Sequence, residues 1–485
     1  MECKMEIEKP PGKEEKTSCD LKCRVWIESK KLWRIAFPSI LAKITQFGIL
    51  VVTQAFIGHI GELELAAYSI MQIIAMPFVQ GTLAGTSSAT ETLCGQAFGA
   101  KQYHMMGIYL QRSWIINFST ATVMLPVFIF SSRIFKLLGE KEDIANKAGE
   151  MSPWFIPYLY NLVFNQTIQK FLRTQLKNMI VGWLSAISFV LHLLLSWIFV
   201  VKLNLGIPGA MSSIIISSWF VVIGDFVYIF GGWCPETWKG FTLAAFSDLL
   251  PSLKLSISSG VMICLELWYY SILVLLAGYM KNAKTAISAF SICINVTDWD
   301  FMLCMGFLSA TSVRVANELG RGEAKAAKFA IKVNVGTSVS IGVFFWILCL
   351  SLGHKIAYLF TSEKAIAEYV SSLSILLAFS ILLNSFQAVF SGAAIGAGRQ
   401  SMAAYVNMCC YYAVGVPVGV ILGFVAHLQV KGIWIGMILG EIMQVITLGY
   451  ITSRTNWEEQ VEKASERLNR FLKPSEEFSK SSAHE

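Results

Sequence analysis

Twelve stretches of this chain are apolar enough and long enough to be helices that cross a lipid bilayer, and that limits the fold more than any other feature. Crossing the hydrocarbon layer takes about 20 largely apolar residues per helix. Within that layer every backbone N–H and C=O needs a partner in its own helix or in a closed barrel. The stretches cover 33–57, 65–92, 107–131, 153–174, 180–202, 207–231, 249–278, 285–313, 327–352, 366–394, 402–426 and 431–453. Composition agrees, since 15% of the residues are charged where a soluble domain carries about 25%. The expected class is an all-α integral membrane protein.

The stretches form two sets of six, and the sets repeat. Ser88 to Gly99, SATETLCGQAFG, returns 221 positions later as Ser309 to Gly320, SATSVRVANELG. AAYSI at Ala66 to Ile70 matches SAFSI at Ser288 to Ile292, and LGIPGA at Leu205 to Ala210 is echoed by VKGIWIG at Val430 to Gly436. A constant offset fixes architecture before any local assignment. It predicts twelve transmembrane helices in two pseudo-symmetric six-helix bundles, 33–231 and 249–453, joined by a cytoplasmic linker at 232–248. A disordered lead, 1–32, and a tail, 454–485, flank them. In the tail Trp457, Val461, Ala464, Leu468 and Phe471 recur at helical spacing, which predicts a helix on the membrane surface or in solvent.

Most of the 39 Lys and Arg fall on the side that holds both termini, and the positive-inside rule puts that side in the cytoplasm. The net charge of +7 is then a topology signal, and no nucleic-acid partner is expected. The first 32 residues hold no apolar core of a signal peptide, so the first helix is expected to direct insertion. Gly95-Gln-Ala-Phe-Gly99-Ala-Lys101 looks like a phosphate loop, but Ala100 and Gln102 occupy the second glycine and hydroxyl positions and no strand precedes it. Gly392, Gly396 and Gly398 lack the strand of a dinucleotide site, and their spacing suits close helix contact. The 6 histidines show no metal-binding spacing and the 11 cysteines no CxxC pair, so no metal, cofactor or disulfide framework is expected.

The informative ionisable groups lie inside the spans, where each costs about 2.5–3.5 kcal/mol and turns to a cavity or a partner. Glu266 sits mid-span within CLELWYY, with Ser259, Met262, Tyr269 and Tyr270 on or near its face. A desolvated carboxyl there is a candidate proton carrier; the bland reading is a structural carboxyl bonded to a tyrosine. The eighth stretch carries a polar stripe of Ser288, Ser291, Asn295, Asp298 and Met302, and the tenth carries Ser380, Asn384, Gln387 and Ser391. Either stripe alone reads as hydrogen bonding between helices, but two stripes beside an acid predict a polar cavity wall. Glu266 and Asp298 are the expected proton-coupling residues, and Asn295, Asn384, Gln387, Tyr269 and Tyr270 the expected cavity residues. Trp268 and Trp299 near the cleft suit planar or cationic solutes. Asp300 points away from Asp298, toward packing or a separate water path, and is not assigned to coupling. Lys43 and Asp225 are deep charges of the first half, and Glu91 is expected to reach a polar surface near a span end.

ETLCGQAFGAKQYHMMGIYLQRSW at Glu91 to Trp114, TQAFIGHIGELELAAYS at Thr53 to Ser69, SVRVANELGRG at Ser312 to Gly322 and NSFQAVFSGAAIGAGRQ at Asn384 to Gln400 resemble the plant DETOXIFICATION branch of the MATE (multidrug and toxic compound extrusion) transporters. The resemblance covers roughly residues 25–465. It implies two six-helix bundles related by an axis along the membrane normal, with a central cleft that opens alternately to either side. The seventh-helix acid tied to proton coupling in eukaryotic relatives matches Glu266. Many bacterial relatives carry an Asp in the first helix at the position of Thr53, and some plant relatives an Asp at the position of Asn384. Coupling is therefore expected in the second bundle, with Asp298 as partner on the strength of its stripe.

The expected function is proton-coupled antiport that exports organic solutes, secondary metabolites or xenobiotics, from the cytoplasm to the vacuole or cell exterior. The expected partners are a small organic solute, protons and the bilayer, with the chain acting as a monomer. A sodium-coupled or lipid-linked-solute exporter of the same architecture is the alternative. A membrane-embedded enzyme is the alternative from another class, and it would need a His or metal constellation that the spacing does not supply.

Overall fold

The computed structural model describes residues 21–247, 249–278, 283–356, 358 and 364–481. Among them the chain is helical throughout its long segments, with no strand. The first half contains α1 (Leu21–Gly58), α2 (Glu62–Gly99), α3 (Tyr103–Ile129), α4 (Phe155–Thr174), α5 (Met179–Lys202) and α6 (Gly206–Trp233). The second contains α7 (Leu249–Gly278), α8 (Ala283–Gly320), α9 (Ala324–Ile356), α10 (Lys364–Gly396), α11 (Gln400–Val425) and α12 (Gln429–Arg454), and α13 (Trp457–Ser481) follows.

Among the described residues 10 helices are long and apolar enough to cross a membrane, or up to 11 when α3 is joined to Ser131–Leu137 across a 65° bend. The helix that falls short is α4, 20 residues long. Asn161, Asn165, Gln169 and Arg173 lower its apolarity, and all four are buried in the protein, away from lipid.

Each half has its own apolar core. Tyr68, Phe128, Phe155 and Met211 belong to the first, and Tyr269, Leu373, Tyr411 and Trp434 to the second. Between halves α2 packs on α7 and α8, and α1 on α8. The two copies of the doubled sequence lie on α2 and α8 and face each other. A Cβ at Gly99 would meet the backbone of Asn317, and a Cβ at Gly320 would meet the backbone of Gln96. These are one contact made twice, as a two-fold axis requires. The hydrogen bonds repeat likewise: Gln96 Nε2 donates to the Gly396 carbonyl at 3.2 Å and Asn317 Nδ2 to the Thr174 carbonyl at 3.3 Å.

Two expectations change. Helix α1 begins at Leu21, inside the stretch expected to be a disordered lead. The reason is that Glu28 is buried against Arg314, with bonds of 2.7 and 3.1 Å, and Leu32 packs against α8 residues such as Val315 and Leu319. Helix α13 is not free in solvent. It docks on α8 and α9 and buries Trp457, Ala464 and Leu468. The Phe471 side chain is outside the described residues. The linker is pinned to α3, since Arg112 Nη2 donates to the Ala244 carbonyl at 3.1 Å and Gln111 bonds the backbone of Gly240 and Thr242. The end of the molecule carrying the linker and α13 is called the linker end below.

Candidate functional site: a cavity between the two halves

A cavity of about 430 Å³ lies between the halves, walled by α1, α2 and α4 on one side and α7, α8 and α12 on the other. On α1 the lining residues Lys43, Gln46, Phe47, Leu50, Val51 and Gln54 follow i, i+3, i+4, i+7, i+8 and i+11, one face of a helix. On α8 Asn295, Asp298 and Met302 line the cavity, so that part of the polar stripe forms a wall. The side chains of Ser288 and Ser291 are outside the described residues. On α2 a π-helical stretch, Met71–Ala75, leads into Met76 and Pro77, and Gln72, Met76, Pro77 and Gln80 all face the cavity. A π turn re-aims the residues that follow it and recurs at functional sites.

Glu266 of α7 is 8% exposed and lines the cavity. Its Oε1 accepts a 2.5 Å hydrogen bond from Gln387 Nε2 of α10. The stripe on α10 thus stands behind the wall, and Asn384 and Gln387 do not line the cavity. One turn from Gln387, Asn384 Nδ2 approaches Asp300 Oδ2 at 3.5 Å, and Cys304 Sγ is 3.7 Å from the same oxygen. Two residues apart on a helix means roughly opposite faces. Asp298 therefore faces the cavity and Asp300 the interior of the second half, and the residue against Asn384 is Asp300, not Asp298. Trp434 belongs to both layers, lining the cavity while its Nε1 donates to Ser380 Oγ at 3.1 Å.

The aromatic expectations change as well. Tyr269 is fully buried in the second core, stacked on Tyr411 with ring centres 4.4 Å apart, its hydroxyl 3.4 Å from the Met437 carbonyl. It does not line the cavity. The Tyr270 side chain is outside the described residues. Trp268 stacks on Phe78 and Trp299 meets Phe47 edge-on; both contacts bridge the halves, and neither tryptophan is in the lining.

In the first half Thr53 is buried in a hydroxyl–imidazole cluster. His192 Nε2 lies 3.1 Å from Thr53 Oγ1 and 3.3 Å from Ser196 Oγ, and its Nδ1 lies 3.2 Å from Ser217 Oγ. No acid belongs to this cluster. Asp225 is buried in α6 with neither carboxyl oxygen in a hydrogen bond among the described residues.

Some polar groups escaped the sequence reading. Five glutamines, Gln46, Gln54, Gln72, Gln80 and Gln166, line the first-half wall. Gln166, Lys170 and Arg173 share one face of α4, a spacing of four and three that signals them in retrospect. Arg173 pairs with Glu91 at 3.1 Å and donates to Ser309 Oγ of α8 at 2.7 Å. Glu91 is thus buried and paired, with no access to a polar surface.

The bonds that join the halves gather at the linker end. Besides those of Gln96, Asn317, Arg173 and Arg314, Thr92 Oγ1 donates to the Ile395 carbonyl at 2.7 Å and accepts from Gln400 Nε2 at 2.9 Å. They form a closed seam below the cavity.

A helical membrane protein in two repeats, with a polar cavity between them and a seam at one end, has the architecture of a secondary transporter. The MatE family model matches residues 38–198 and 259–421, one segment in each half. The chain belongs to the MATE family. It is 53% identical over 460 residues to Protein DETOXIFICATION 24 of Arabidopsis thaliana, covering 95% of this chain and 92% of that one. It is 50% identical over 466 residues to Protein DETOXIFICATION 20 of the same plant, covering 96% and 95%. The crystal structure of the eukaryotic MATE transporter AtDTX14 superimposes with a TM-score of 0.87 at 32% identity, covering 91% of this chain and 99% of that one. A MATE in the bent conformation shares the fold with a TM-score of 0.80 at 18% identity, covering 90% and 97%. The chain is an integral, multi-pass MATE transporter, and not an enzyme.

Proposed function

We propose that this MATE transporter is a proton-coupled antiporter that exports organic solutes from the cytoplasm to the vacuole or the cell exterior. The observation that carries the reading is Glu266, a buried carboxyl on the cavity wall whose partner, Gln387, belongs to a different helix. An amide holds an ionised carboxylate through a charge-assisted bond that is weaker once the acid is protonated. Proton uptake at Glu266 thereby changes the contact between α7 and α10 as well as the charge of the wall. Asp298 on the same wall is the second group exposed to arriving protons.

The distribution of Lys and Arg supports placing the linker end and both termini in the cytoplasm. The seam then closes the cytoplasmic side, and the cavity belongs to the outward-facing state. A proton entering from the acidic compartment neutralises Glu266 and favours release of a solute held there. Parting of the seam then returns the cavity to the cytoplasm, where the proton leaves and solute binds. One pH unit supplies about 1.4 kcal/mol per proton, and 100 mV adds about 2.3 kcal/mol per charge moved. The cavity is complete within one chain, which supports a monomeric carrier.

Glu266→Gln keeps the shape and the bond to Gln387 but carries no proton. In vesicles reconstituted with the purified protein, this variant is expected to insert normally and to lose solute movement driven by a pH gradient. Undiminished pH-driven transport would overturn the assignment of Glu266. Transport that follows a sodium gradient and ignores the pH gradient would assign sodium as the coupling ion.

A further inference from the structure

We propose that the cavity takes an amphoteric organic solute, with an acidic group of the solute on Lys43 and a basic group on the carboxyl wall opposite. The inference rests on the antiporter reading for its place in the transport cycle, but it concerns binding, which is measured without any gradient.

The two walls differ in sign. The first half contributes Lys43 and five glutamines, with no carboxylate in the lining. The second half contributes Glu266 and Asp298. Lys43 makes no ion pair or hydrogen bond among the described residues. The charges within its reach are Arg173 and Glu91, and Glu91 is already bonded to Arg173 at 3.1 Å. Glu266 and Asp298 belong to the opposite wall, and no ion pair joins either to Lys43 among the described residues. Nearby Lys170 is tied to α2, its Nζ donating to the Ala84 carbonyl at 2.8 Å and to Ser87 Oγ at 2.7 Å. Glu91 is bonded to Arg173, so Lys43 is the cation that the first-half wall presents to the cavity.

An unpaired ammonium within a membrane is costly and marks a substrate or ion pathway. With five glutamine amides on the same wall, Lys43 presents the chemistry that recognises a carboxylate or a phenolate. A purely cationic solute fits the carboxyl wall but is repelled by Lys43, and a purely anionic one has the reverse difficulty. A molecule with both groups, and an apolar body against Phe47, Phe301 and Trp434, satisfies both walls. It also suits exchange, because the basic group and the proton compete for the same carboxyls while the acidic group holds the solute to the first half.

Three xanthene dyes of one skeleton test this: a carboxy-rhodamine with both charges, its methyl ester with the positive charge alone, and fluorescein with negative charge alone. Binding is read by fluorescence anisotropy on the full-length protein in phosphatidylcholine nanodiscs at neutral pH. The carboxy-rhodamine is expected to bind at least about tenfold more tightly than its ester, the range of a hydrogen bond to a charged group, and more tightly than fluorescein. Lys43→Gln is expected to erase the preference over the ester, and Lys43→Arg to keep it. Equal or tighter binding of the ester, a preference that survives Lys43→Gln, or no binding of the carboxy-rhodamine overturns the proposal. Loss of the preference alongside intact Glu266-dependent transport rejects amphoteric recognition alone. A retained preference with pH-driven transport by Glu266→Gln rejects the coupling reading alone.

Discussion

Buried charges decide much at the scale of single residues. Arg314, 3% exposed, binds Glu28 through Nε and Nη2 at 2.7 and 3.1 Å and Glu318 through Nη2 at 2.6 Å. One guanidinium thus holds the start of α1 to α8 and satisfies two carboxylates, a geometry that the point charge of lysine does not reproduce. Removing one member of such a cluster strands its partners and costs about 3–5 kcal/mol. Arg314→Leu is expected to lose that much stability and Arg314→Lys less, read by thermal unfolding of the detergent-solubilised protein. A leucine variant as stable as the parent would show that the cluster contributes nothing. Glu28, Glu91 and Arg173 could not be read as partners from the chain alone. Arg173 lies 82 positions from Glu91 and Arg314 lies 286 from Glu28, and nothing local signals a pairing at that range. Glu266 was legible because a carboxyl in an apolar run is conspicuous without its partner. The pairing of Asn384 with Asp300 was not, because helical phase separates Asp300 from Asp298 but does not say which neighbouring helix each one meets.

Helical periodicity carried the reading at the scale of elements, and it failed where two faces of one helix are both polar. The stripe on α8 predicts a wall, and Asn295, Asp298 and Met302 form one. The stripe on α10 has the same spacing yet packs inside the second half, because the polar partners it meets are carboxyls of α7 and α8. Tyr269 shares the face of Glu266 in a helical projection, but the stacking ring of Tyr411 draws it into the core. The doubled segments on α2 and α8 were visible as a repeat, whereas their mutual contact needed three dimensions. Gly99 and Gly320 let those two backbones approach so closely that a Cβ on either must displace the other helix. Overpacking of this kind costs about 1–3 kcal/mol, here charged to the state in which the linker end is closed. Gly99→Val and Gly320→Val are expected to slow transport to a similar extent and to raise labelling of a cysteine placed at the linker end. A strong effect from one and none from the other would show that the contact is not reciprocal.

On the carrier reading proposed above, the whole molecule works as two halves that part and rejoin around the cavity. Rigidity comes from each half burying its own aromatic core. The seam that must part on this reading consists of the bonds from Arg173 to Ser309, from Thr92 to the Ile395 carbonyl and the repeated pair from Gln96 and Asn317, together with the ion pair of Arg314 and Glu28. A neutral bond of this kind is worth about 0.5–1.5 kcal/mol net and one to a charged group about 1.5–3 kcal/mol, a scale at which proton and solute binding together can tip the balance. If the seam must open in every cycle, a covalent tie across it stops transport without touching the cavity. Gly95 and Ala316 face one another there, with a Cβ at Gly95 falling 2.6 Å from that of Ala316. A disulfide needs about 3.5–4.5 Å between those atoms, a separation that a small outward shift of α2 against α8 provides. In a chain whose native cysteines are replaced, Gly95→Cys with Ala316→Cys is expected to transport when reduced, to stop when oxidised and to recover with reductant, while dye binding in the cavity persists throughout. Transport that continues with the bond formed would mean that the halves do not separate along this seam.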